Sequence, residues 1–144
     1  MSWRSGDDAS HVTCRQRIGS CVGTDCQTYG NHGRTTKRRR ISTGYKHSWE
    51  WLAYNNLAGY FKTPKIRFKI EQGYHNWLDV QGHDVRFHHG DAIRYHGGIG
   101  GVTIPLRKKI AQWNKRRHSH LDILGHFHQF IDAWDYVVCG CLGL

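Results

Sequence analysis

The chain has no run of about 20 consecutive apolar residues, the length that a membrane-spanning helix needs. Its first residues, MSWRSGDDASH, carry no apolar stretch of the signal-peptide type. Neither a membrane span nor secretion is indicated, so a cytoplasmic protein without a membrane partner is expected. Close CxxC pairs are also missing. Cys14, Cys21 and Cys26 are separated by six and four residues, and Cys139 and Cys141 stand far away. That spacing disfavours a structural zinc site, and the odd count of five without a secretory signal disfavours a disulfide framework, so free thiols are expected. No repeat of fixed period is visible, which argues against a solenoid or propeller.

Acidic residues are scarce. Eleven Asp and Glu stand against 21 Lys and Arg, a formal net charge of +10 before 12 histidines are counted. Phosphate-bearing or acidic partners are therefore favoured electrostatically. Among the 144 residues are six Trp, seven Tyr and five Phe, enough apolar surface for one ordinary core.

Residues 1–28 are rich in Ser, Gly, Asp, Thr and Cys and read as an irregular or poorly ordered lead-in; residues 29–144 read as the domain. YGNHGR is turn-like and TTKRRR must face solvent or anions. STGYKHSWEWLAYNNLAGYF places Trp49, Leu52, Ala53, Leu57, Tyr60 and Phe61 at helical spacing, with Ser42 or Thr43 available as the cap. IRFKI, WLDV and VRFHH read as three short strands forming an antiparallel meander. Pro105 suits the first turn of a helix through LRKKIAQWNKRR, and LDILG and about Trp134 to Cys139 read as further strands. The fold class expected is α/β.

Three clusters carry metal-competent side chains beside a glycine: Gly30, Asn31 and His32; His88, His89, Gly90 and Asp91; Gly125, His126 and His128. Neutral imidazole is the commonest metal ligand and the Asn carbonyl oxygen is another donor. In an extended strand His126 and His128 would point to one side while Phe127 packs on the other. His118 and His120, beside Arg116 and Arg117, read instead as a solvated pair.

In the order GNH, HGD, GHFH, these motifs resemble the later motifs of the calcineurin-like metallophosphoesterases, whose pattern runs DxH, GD, GNH(D/E), a lone H and GHxH. GNHGR before a basic loop and LGHFHQ before a strand look especially like phage and bacterial members. The resemblance covers about residues 29–143. It implies a partial αββα sandwich with mixed sheets, and hydrolysis of phosphate mono- or diesters at two divalent ions (Mn, Zn, Fe or Mg). Asn31, His89 and His126 would bind the second metal and His128 the first, His32 would be the catalytic outer-sphere histidine, and Arg34 would contact the substrate phosphate.

The Asp and His of DxH and the bridging Asp of GD have no counterpart placed after an apolar strand. Gly6 and Asp7 spell GD in the irregular segment, and Gly33 stands where an acidic residue usually follows GNH. A truncated or split enzyme completed by another, N-terminal polypeptide would account for this; so would unorthodox ligands such as Asp7, Asp8 or His11. The alternative function is a basic nucleic-acid-binding protein without catalysis, using TTKRRR, RKK, KRR and interleaved aromatics. A plain α/β domain whose histidines only satisfy local hydrogen bonds is the third reading.

Overall fold

The computed structural model describes residues 13–18, 22–40 and 42–140, with the side chains of residues 13–18 and of Val22 and Gly23 left aside. The candidate ligands Asp7, Asp8 and His11, the Gly6–Asp7 pair, Cys21 and Cys141 lie outside the described residues. The fold is mixed α/β, with two mixed sheets and two helices. No helix among the described residues is long and apolar enough to cross a membrane.

The first sheet has the order β1 (Thr13–Ile18), β2 (Val22–Gln27), β3 (Ile66–Ile70); β1 and β2 are antiparallel, and β2 and β3 parallel. Much of the segment expected to be irregular is thus a hairpin. Its polar and glycine-rich composition hid a strand whose burial is supplied from elsewhere: Thr24 and Cys26 point inward, and Cys26 is completely buried against Leu78, Val85 and Phe87 of the second sheet. This contact joins the two sheets. Asn76 reinforces it, its buried amide donating to Gln27 O at 3.2 Å and Lys69 O at 2.7 Å.

The second sheet has the order β4 (Asn76–Val80), β5 (His83–His88), β6 (Leu121–Leu124), β8 (Tyr136–Val138), β7 (Ile131–Asp132). The central strands β5, β6 and β8 are parallel and the two edge strands antiparallel. Three strands fall where expected, yet the meander does not form. Of these three, only β4 and β5 are an antiparallel pair, because β3 leaves to pair with β2 in the other sheet. The last strand is shorter than its apolar run, and β7 was not foreseen at all.

Helix α2 (Thr103–Asn114) crosses between β5 and β6 and buries Leu106 and Ile110 with Ile93, Leu124, Tyr136 and Val138. Helix α1 (Trp49–Tyr60) crosses between β2 and β3 and is capped by Ser48, whose Oγ accepts from Trp51 N, rather than by Ser42 or Thr43. A short 3-10 turn, Gly44–His47, takes up the residues between. The expected inward apolar stripe is corrected: Trp49, Leu52, Leu57 and Tyr60 face solvent and Tyr54 alone is buried. The helix lies against β3 along a narrow seam, so helical spacing correctly predicts the helix but not its buried side.

Candidate metal centre

Parallel strands deliver loops to one edge of a sheet, and the crevice beyond their carboxyl ends is where α/β proteins commonly bind ligands. Asn31 follows β2, His89 follows β5 and His126 follows β6. Chain segments 58 and 37 residues apart therefore meet: Asn31 Oδ1 lies 2.7 Å from His89 Nε2, and His126 Nδ1 lies 3.3 Å from the same nitrogen. The structure brings these three expected ligands together.

Backbone contacts hold the loops in place. Gly125 N–H donates to His89 O at 3.1 Å, and Tyr74 Oη accepts from Gly90 N at 3.0 Å and Ala92 N at 3.1 Å. Gly90 has φ of 109°, and a Cβ there would stand 3.0 Å from Gly125 O and 3.2 Å from His126 Cβ. Only glycine allows the two histidine loops to approach so closely.

The GHFH segment departs from an extended strand. Strand β6 ends at Leu124, and His126 and His128 have φ of 72° and 54°, the left-handed region that side-chain-bearing residues rarely adopt. The turn is therefore made at the histidines, not at Gly125. Phe127 does pack inward, against the α2 core, as expected. Strained non-glycine backbone held in place by surrounding contacts is concentrated at functional sites. His128 is exposed and makes no hydrogen bond to the other three.

Burial pulls the His89 imidazole down to about 4; the Asp91 carboxylate opposes this, and His126, His32 and His88 reinforce it. Burial lowers His126 as well, again opposed by Asp91 and reinforced by His128 and His32. Both rings are thus neutral donors at pH 7, as metal ligation requires. His32 is exposed on the turn after Asn31, within electrostatic reach of both rings. Arg34, expected on the phosphate, turns back on its own loop, donating to Asn31 O and to Thr36 O. The residue that does reach the site is Arg39, paired with Asp91 at 2.9 Å.

Glu50 was missed by sequence reasoning. It opens α1, its carboxylate accepts from Gly30 N–H, and it fills the space over Gly33, where a Cβ would stand 2.9 Å from Glu50 Cγ. Trp49 N–H meanwhile donates to Gly33 O at 2.8 Å. The absent acidic side chain at position 33 and the present one at position 50 are therefore two sides of one packing arrangement. An acidic residue in the first turn of a capped helix was the available signal, but it points to the helix macrodipole before any site.

Among the described residues no group of three or more His, Cys, Asp or Glu gathers closely enough to hold a metal ion; the third donor here is the Asn31 amide oxygen. Cys139 is a half-buried free thiol whose pKa burial raises, remote in character from a metal thiolate. No family, curated protein or solved structure matches the chain.

Proposed function

We propose that this chain is a metal-dependent phosphoesterase acting on phosphate mono- or diesters, with Asn31, His89 and His126 holding one divalent cation. The two sheets packed through Cys26, with a helix on each, support an αββα arrangement for it. The observation that carries the reading is the convergence of one amide oxygen and two neutral imidazole nitrogens at the carboxyl ends of three strands.

The spacing fits an ion. Ligands about 2.1 Å from a common metal at tetrahedral or octahedral angles stand about 3.0–3.4 Å from one another. The separations of 2.7 and 3.3 Å need little adjustment to reach that. A divalent cation supplies Lewis acidity toward a phosphoryl oxygen. The chain's own residues do the rest. Asn31 orients the donor set and Arg39, alongside, offers a guanidinium to the phosphate. Hydrolysis breaks the bond from phosphorus to the leaving oxygen and forms one to the oxygen of water; His32, exposed beside the cluster, would give the leaving oxygen its proton, and the proton that the water sheds would pass through solvent and restore His32.

Titration calorimetry with Mn²⁺ and Zn²⁺, paired with hydrolysis of a chromogenic phosphodiester, tests the reading. Uptake of metal and chelator-sensitive hydrolysis, both lost in His126→Ala, are expected. A purified chain that takes up no metal would sink it.

A further inference from the structure

Beside a hollow lined by Tyr29, Asn31, Arg34, Arg39 and Asp91 is a second, more open cleft, lined by Arg39, Ala92, Ile93, Arg94, Pro105 and Lys109. Three cations and no carboxylate face it. Arg39 also lines the hollow that Asn31 borders, so the two hollows share a wall and positive charge runs from beside Asn31 to α2. Asp91 neutralises Arg39. Arg94 is exposed, and among the described residues it and Lys109 make no ion pair; the Lys109 ammonium lies only over the Trp113 ring, 5.6 Å from its centroid.

We propose that this cleft binds the phosphate backbone of a single-stranded nucleic acid. The inference rests on the phosphoesterase reading for its placement, since the bound strand would lead a scissile phosphodiester to Asn31, His89 and His126. A small phosphate ester needs one cradle, which Arg39 and the cation proposed on Asn31, His89 and His126 would provide. Two further uncompensated cations beyond it serve a ligand whose charge repeats. An exposed aromatic ring stands at the cleft's edge in sequence: Tyr95 follows Arg94 directly and is 40% exposed. Such rings stack on unpaired bases, the usual complement to a cationic groove in single-strand binding.

The test is fluorescence anisotropy of the full chain with a labelled oligothymidylate of about 12 nucleotides, in EDTA, across about 50–200 mM salt. Arg94→Ala/Lys109→Ala should weaken binding several-fold and reduce the slope of log K against log salt by about 1.4, two single-strand phosphate contacts' worth. Lys115→Ala/Arg116→Ala, which removes the same charge beyond the other end of α2, should change both much less. Equal losses in the two variants, unchanged binding in the first, or equal displacement by thymidine monophosphate at the same phosphate concentration would each overturn the proposal. Binding in EDTA does not depend on metal or turnover. Failure of the phosphoesterase reading therefore appears in the calorimetry and hydrolysis, and failure of this one in the anisotropy.

Discussion

The strands that deliver His89 and His126 are joined below the site by a buried ion pair, and breaking it should cost the fold dearly. Arg86 of β5 and Asp122 of β6 are register partners, each 1% exposed. Arg86 Nε donates to Asp122 Oδ1 at 2.6 Å and Nη2 to Oδ2 at 2.9 Å, a bidentate fork. The guanidinium is enclosed between the Trp77 and Trp113 rings, 5.2 Å from each centroid, and Nη2 also reaches Asn114 Oδ1 at 3.0 Å. Asp122 accepts further from Ser119 Oγ at 2.7 Å. Asp122→Asn keeps the shape and one acceptor but leaves an uncompensated buried cation. Removing one partner of such a pair typically costs about 3–5 kcal/mol. A total stability of roughly 5–15 kcal/mol makes that a fifth or more of what holds the domain. Urea unfolding followed by Trp fluorescence should show a lower midpoint at unchanged slope. The double change Arg86→Met/Asp122→Leu removes both charges and should recover most of the loss, since well-packed apolar replacements of buried pairs are often neutral. A loss below about 1 kcal/mol in the single variant, or a double variant as unstable as the single, would refute the reasoning.

The remaining predictions concern the loop clamp and acid. Gly33→Ala should push Glu50 off Gly30 N–H, destabilise by about 1–3 kcal/mol and weaken metal uptake; added to Glu50→Ala it should cost little more, and strict additivity in thermal melts and calorimetry would contradict the shared packing. Burial, with His88 and Arg86 adding to it, depresses His75 to about 3, and burial also lowers His88. The unfolded chain therefore binds these protons first, so stability is full above about pH 6.5 and falls as pH drops from there toward 3. The urea midpoint should decline between pH 7 and 4.5, less steeply in His75→Gln; a flat profile would refute it.

What the sequence made legible was local. Period-two alternation in IRFKI and WLDV, and the apolar run LDIL, mark strands whatever they pair with, and Leu106, Ile110 and Trp113 mark α2. Pairing was not legible, because β3 and β4 are neighbours in sequence but belong to different sheets: the choice depends on contacts such as Asn76 with Gln27, 49 residues away, and Cys26 with the more distant Leu78, Val85 and Phe87. The outward face of α1 was hidden for a similar reason. Helical spacing records which residues share a side, while Trp49 and Tyr60 facing solvent depends on how narrow a seam β3 offers.

The candidate site divides along the same line. Asn31, His89 and His126 could be singled out because each sits beside a glycine in a turn-like context; parallel pairing of β5 and β6 brings the two histidines together, while Asn31 arrives from the other sheet through the packing of β2 on β4 and β5. His128 shows the limit of that rule. Its two-residue spacing from His126 implies a shared direction only if the backbone is extended, and positive φ at both residues removes the premise. Glu50 lies outside any motif and Arg39 is one of several cations in the TTKRRR run, and each reaches the site through a partner that sequence spacing does not reveal: Gly30 for one, Asp91 for the other. Both partners are motif residues. The glycines and acid of GNHG and HGD thus act as sockets for side chains supplied from elsewhere, so a site read from its motifs alone will list the candidate donors and omit the groups that hold them in place.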